Sequence, residues 1–240
     1  MAGVALWKFK TLSHLVLAKA KLFLSGFTDF STLSSMLLSF GVYWSIWGWK
    51  FALGLVLSIY VHEMGHVVAL RRYGIRATGP MFIPGVGAVV RMKRYPANPR
   101  QDARVGLAGP VWGLGAAMVA CALYLLTNSF FWAVIASVGA WLNLFNLLPV
   151  WQLDGARGFR ALSKPQRWWV VGILSSMFLV TGEGLLLALV LPALWKVLER
   201  EMPAEPDRVA FTQYAILVVA FSMLCGLQPL IPCELLGPKS

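Results

Sequence analysis

Seven stretches of the chain are almost wholly apolar: Leu33 to Trp49, Phe51 to Leu70, Val105 to Leu126, Phe130 to Pro149, Trp168 to Val180, Leu185 to Trp195 and Val209 to Ile231. Five of them are read as long enough to span outright, a helix needing roughly 20 residues to cross a hydrocarbon core of about 30 Å. The two shorter ones flank Thr181-Gly182-Glu183-Gly184 and are read either as a hairpin of short helices or as one long tilted helix. Glu183 is read as a turn residue at the far interface in preference to an intramembrane carboxylate, which would count as functional. Residues Met81 to Arg91 break the helical pattern, being apolar and β-branched around Pro84, Gly85 and Gly87, too short to span, and bounded by Gly79-Pro80 and basic residues. They are expected to form a re-entrant strand or hairpin, or else a membrane-dipping loop that only packs against the spans. The pattern predicts an all-α polytopic membrane protein with about six to seven transmembrane helices and a short re-entrant β or loop segment. Residues 31–240 are expected to form one membrane-embedded domain.

Residues 1–30 differ. Lys8, Lys10, Lys19 and Lys21 alternate with Leu6, Trp7, Phe9, Leu12, Leu15 and Leu17. The lysines interrupt any apolar core that a cleavable signal peptide would need, so the segment is read as an amphipathic interfacial helix or a solvated basic tail.

Composition supports the membrane reading: 58% of the 240 residues are hydrophobic and only 13% charged, where soluble domains carry about 25%. The net charge of +11 does not imply nucleic acid. Most of the 21 basic residues gather in short stretches between apolar runs: Lys8 to Lys21, then Arg71 to Arg104, then Arg157 to Arg167. An even number of spans separates these clusters, and the alternate loops near Lys50 and Asn128 are nearly uncharged. The positive-inside rule therefore places the basic loops in the cytoplasm, with the cell membrane the expected location. Cys121, Cys225 and Cys233 lie far apart or within apolar runs, a pattern that supports neither a disulfide framework nor a zinc ribbon.

The second apolar run contains His62-Glu63-Met64-Gly65-His66. Histidines at i and i+4 share one helix face closely enough to bind one zinc ion, and the glutamate between them can take a proton from a water beside it. Imidazoles and a carboxylate inside an apolar span are costly without partners, and a metal is a partner that uses all three. A catalytic zinc takes a third protein ligand, and no other histidine lies in a span. On the same side as His66 the nearby carboxylates are Asp102 and Asp154. Asp154-Gly155 follows Pro149, which would break the fourth span, and it is either a ligand or simply a turn.

HExxH followed by Asn146-Leu147-Leu148-Pro149-Val150-Trp151-Gln152-Leu153-Asp154-Gly155 resembles the site-2 protease family of intramembrane zinc metalloproteases. Further matches are Met81-Phe82-Ile83-Pro84-Gly85-Val86-Gly87-Ala88 and Leu107-Ala108-Gly109-Pro110. The resemblance implies His62, His66 and Asp154 as Zn²⁺ ligands and Glu63 as the general base. Ala156 stands where many members have a second glycine and Met64 where leucine is usual. No PDZ-like or nucleotide-sensing domain is expected in these 240 residues, which leaves substrate selection unexplained.

The expected activity is hydrolysis of a peptide bond in or near a transmembrane segment of another membrane protein, as in regulated intramembrane proteolysis. The alternatives are a membrane-embedded zinc peptidase acting on juxtamembrane or soluble substrates, and a non-catalytic membrane protein that keeps a metal site, although metal retention alone would not need Glu63. Asn146 is a candidate for holding substrate backbone through its amide, or for an interhelical hydrogen bond. Val86, Gly87 and Ala88 are candidates for pairing with an unwound substrate by β-strand addition.

Overall fold

The computed structural model describes residues 29–199 and 202–226. The amphipathic segment expected at residues 1–30 lies almost wholly outside them, as does Cys233. Helix α1 (Phe30–Trp47) starts where Asp29 accepts the Ser31 N–H, and Gly48, at φ +83, turns the chain directly into α2 (Trp49–Arg72). After the segment Met81–Val89, α3 (Pro99–Thr127) is started by Asn98, whose side chain accepts the Gln101 N–H, with Pro99 in the first turn. Both devices serve helix-terminal N–H groups that have no partner within the helix. Asn128, in the left-handed region, ends α3 and leads into α4 (Phe130–Asn146).

Beyond α4 come the seven-residue α5 (Asp154–Arg160), then α6 (Lys164–Thr181), α7 (Gly184–Val197) and α8 (Arg208–Cys225). Helices α6 and α7 are two helices and not one: Gly182 closes α6 at φ +69, and Glu183 starts α7 by accepting the Leu185 N–H at 3.2 Å. Glu183 is therefore the turn residue expected.

Among the described residues, α2, α3 and α8 are long and apolar enough to cross a membrane. The other apolar runs form shorter or more polar helices. Helix α4 stops at Asn146, ahead of Pro149, and has 17 residues, while α7 has 14. Helix α1 carries Ser31, Ser34, Ser35, Ser39 and Ser45, and α6 opens with Lys164, Gln166 and Arg167. The outer surface of the bundle is apolar, with Leu38, Trp44, Leu126, Leu179 and Leu191 all exposed.

One core packs Leu107, Leu144, Phe159, Leu174, Leu189 and Phe221 between α3 and α8, and another packs Met36 and Tyr43 of α1 against Val56 and Met64 of α2. At the end of the bundle where α2 stops and α3 starts, ion pairs join Arg100 to Glu205, Arg104 to Asp207, and both Arg157 and Arg160 to Asp102. The second and third basic clusters thus meet at a single end.

Residues Met81–Ile83 (β1) and Gly87–Val89 (β2) form the expected hairpin, paired Met81 with Val89, Phe82 with Ala88 and Ile83 with Gly87. Val86 N–H donates to Ile83 C=O at 3.1 Å, closing a turn with proline second and Gly85, at φ +76, third. That is the order a type II turn requires. The hairpin leans on α1: Phe82 N–H donates to Ser35 Oγ and Gly85 N–H to the Tyr43 hydroxyl, each at 3.1 Å.

Candidate metal centre

His62 and His66 sit one turn apart on α2, ten and six residues before its end. Each imidazole is fixed from behind. His62 Nδ1 lies 2.7 Å from Asn143 Oδ1 on α4, and His66 Nδ1 lies 2.8 Å from the Val105 carbonyl on α3. Asn143 Nδ2 donates to the Gly139 carbonyl at 2.8 Å, so its oxygen is the atom facing His62. Both partners accept, so each Nδ1 carries the ring proton and each Nε2 presents a lone pair. These two Nε2 atoms stand 3.2 Å apart.

Asp154, the first residue of α5, completes the group, with Oδ2 3.0 Å from His62 Nε2 and Oδ1 3.2 Å from His66 Nε2. Three buried acceptors therefore converge with no donor between them, an arrangement that a cation would relieve. These donors are the ones that could hold a metal among the described residues. Tetrahedral zinc with bonds near 2.0–2.1 Å sets neighbouring ligand atoms about 3.3 Å apart, close to the separations here. Two imidazoles and a carboxylate are also a familiar catalytic zinc set.

Glycines let the backbones come this close. A Cβ at Gly109 would stand 2.2 Å from His66 Nε2 and 2.7 Å from His62 Nε2. One at Gly113 would meet Asn143 Oδ1 at 2.1 Å, one at Gly65 the Ala108 carbonyl at 2.4 Å, and one at Gly155 the Leu147 carbonyl at 1.9 Å. Gly106, where a Cβ would lie 2.6 Å from Arg157 Cβ, admits α5 against α3. The Leu107-Ala108-Gly109-Pro110 motif is thus the stretch where α3 passes directly behind the donors.

Glu63 is buried and lines the same cavity as the donors, yet it forms no hydrogen bond or ion pair with the described residues. The cavity has a volume of about 1240 Å³ and extends from Glu63 past Asn146 and Ala88 to Tyr95 and Arg160 at the charged end of the bundle.

The remaining candidates divide. Asn146 and Val86 line the cavity together with Ala88, whereas Gly87 is not part of its wall. Opposed residues in an antiparallel pair bond either to each other or both outward. Phe82 sends its N–H outward to Ser35, so Ala88 sends its own N–H and C=O to the opposite, unpaired edge. Asp102, the other carboxylate considered for the metal, is not in the donor cluster. Its two oxygens accept from Arg157 Nε at 2.8 Å and Arg160 Nη2 at 2.7 Å.

Asn143 is the residue that sequence reasoning missed. It lies one turn before Asn146, and its polar side chain within an apolar run was the available signal.

Residues 50–129 match the family model described as peptidase family M50. This segment is similar to the M50, or site-2 protease, family. The match agrees with the resemblance read from the motifs. The chain is 26% identical over 146 residues to zinc metalloprotease MJ0392 of Methanocaldococcus jannaschii, covering 57% of this chain and 40% of that protein. It is 33% identical over 128 residues to Rip3 of Mycobacterium tuberculosis, covering 50% of this chain and 32% of that protein. The matches thus span well under half the length of these relatives. The M50 segment includes His62, Glu63, His66 and the Gly109 region but ends before Asn143 and Asp154, whose assignment stands on geometry.

Proposed function

We propose that this protein is an intramembrane zinc metalloendopeptidase that hydrolyses a peptide bond in or near a transmembrane segment of another membrane protein. The observation that carries the proposal is the convergence of His62 Nε2, His66 Nε2 and an Asp154 carboxylate oxygen on one point, beside a Glu63 that makes no hydrogen bond or ion pair among the described residues. Zinc at this set would supply the Lewis acidity that acidifies a water and polarises a carbonyl. His62, His66 and Asp154 would hold the ion, with Asn143 and Val105 fixing the imidazole tautomers. Glu63 takes one proton from the water as its oxygen bonds the scissile carbon, and returns that proton to the amide nitrogen as the carbon–nitrogen bond breaks. One water is consumed, and a carboxylic acid and an amine result.

The chain is read as six to seven spans with the ion-paired end in the cytoplasm. The metal site then lies about 10–15 Å from the α2 terminus, at 1.5 Å per residue, and the cavity is its route to water. A carbonyl locked in a helix is not open to attack, so a substrate helix must unwind, and its freed backbone groups need partners. The outward N–H and C=O of Ala88 offer them. An extended substrate pairing there would add a strand to β2.

The test is the purified protein in detergent with a panel of single-span substrates and with soluble peptides. Glu63→Gln should retain bound zinc and lose at least about 10³-fold in turnover. Asp154→Ala should lower zinc occupancy. Loss of zinc in Glu63→Gln would overturn the division of roles, and cleavage of soluble peptides alone would overturn the intramembrane reading. Ala88→Pro should weaken cleavage with zinc intact, because it removes an outward N–H that the hairpin does not use. Val86→Pro would not report cleanly, since the Val86 N–H closes the turn.

A further inference from the structure

Val150-Trp151-Gln152-Leu153 forms a four-residue turn closed by Leu153 N–H donating to Val150 C=O at 3.2 Å. Trp151, at its second position, has φ +48. A positive φ at that position is the habit of glycine, asparagine and aspartate, and for a bulky side chain it is an outlier. Packing does not offset the strain, because Trp151 is 89% exposed. The turn therefore holds a large aromatic group outward at a conformational cost and gains little contact within the fold. Strain of this kind gathers at sites that grip ligands.

The position of Trp151 indicates which ligand. It stands three residues before Asp154 and lines the cavity that contains Glu63, Asn146 and Ala88, with Tyr95, 81% exposed, also on that cavity's wall. An indole facing lipid alone would have no reason to share a wall with the donors. We infer that Trp151 is a substrate-binding residue, an aromatic platform that takes an apolar side chain of the unwound substrate beside the scissile bond. The inference rests on the protease reading and names a specificity contact within it. A flat apolar ring suits side chains drawn from a transmembrane segment and offers a large contact area with few torsions to freeze.

The experiment compares the full-length parent, Trp151→Gly and Trp151→Phe in detergent, on single-span substrates with leucine or serine flanking the cleavage position. Trp151→Gly should unfold no lower than the parent, because glycine adopts the left-handed conformation freely. Its KM for the leucine substrate should rise about tenfold, with a smaller change in kcat. Trp151→Phe should keep most of the affinity, and the serine substrate should show little difference among the three. The same ranking should appear when the variants are combined with Glu63→Gln and binding of the fluorescein-labelled leucine substrate is measured, a readout independent of turnover. Equal binding by parent and Trp151→Gly would overturn the inference. So would a defect seen only in phosphatidylcholine and phosphatidylglycerol vesicles, which would make Trp151 an interfacial anchor. A parent that binds this substrate through Trp151 and never cleaves it would instead refute the protease reading and leave the contact standing.

Discussion

Along α3, glycines at 106, 109 and 113 bring backbone against Arg157, the two imidazoles and Asn143, whereas on the other side of the bundle Leu174, Leu186, Leu189 and Val197 meet through side chains alone. The two regions lie on different helices and differ in what holds them. The leucine side has many interchangeable contacts, each small, and can yield locally when one is lost. The glycine seam has a few polar contacts whose distances set the metal geometry, and at Gly109 and Gly113 the groups behind it are donors or their supports. Small residues that let helix backbones approach are also what membrane helices use in place of a hydrophobic driving force. Here that device serves the chemistry directly.

The contrast is sharpest at single methyl groups. Gly109→Ala adds one and should abolish zinc retention, lowering activity by at least about 100-fold, since the new Cβ would occupy the space of two Nε2 atoms. Leu189→Ala removes three carbons from the leucine side and should cost about 1–3 kcal/mol in stability while leaving zinc affinity within about twofold. Zinc content by mass spectrometry and unfolding in mixed micelles would separate the two outcomes, and equal zinc loss in both would erase the distinction. A smaller effect is expected at Asn143→Ala, which keeps all three donors and frees the His62 ring. Zinc should bind about 10–100-fold more weakly, as measured by chelator competition, with Asn143→Gln also impaired because the longer side chain cannot meet both Gly139 and His62 in place.

The smallest effect lies at the charged end. Burial alone would raise the carboxyl of Asp207, but the hydrogen bond from Arg104 and those from the Ala210 and Val209 N–H groups outweigh it and hold the carboxyl below its ordinary value. A carboxyl lowered in the fold contributes stability above its unfolded value, about 3.9, and loses it as pH falls through the folded one. Below about pH 4, Asp207→Asn should therefore converge with the parent in thermal stability, while above it the parent should be the more stable. A constant gap across that range would remove the Arg104 pair as its cause.

What the sequence disclosed follows from how local each feature is. His62, Glu63 and His66 were legible because i and i+4 on any helix share a face. The β1–β2 hairpin was legible because proline and glycine at successive positions set a turn whatever surrounds them. The role of Asp154 was half legible: the break at Pro149 was visible, but whether the carboxylate faced the histidines depended on where α5 docks. Asn143 gave only the signal of a polar side chain in an apolar run, and the Asp102–Arg157 pair and the conformation of Trp151 were not legible, since each depends on the rotation of one helix against another or on a backbone state its own residue type disfavours. The span count was only partly legible: among the described residues three helices are long and apolar enough to cross a membrane, and serines in α1 and the early stop of α4 divide the other apolar runs unequally.

Tyr214 carries a consequence of another kind. Its hydroxyl, on α8, donates to the Leu147 carbonyl, and Leu147 is the residue against which Gly155 packs. A chain interrupted before Arg208 would possess His62, Glu63, His66 and Asp154, yet would lack the post that steadies the turn delivering Asp154. In the order of synthesis, the donor cluster gains its last support only when α8 docks, so the growing polypeptide carries an unbraced site until its final described helix is in place.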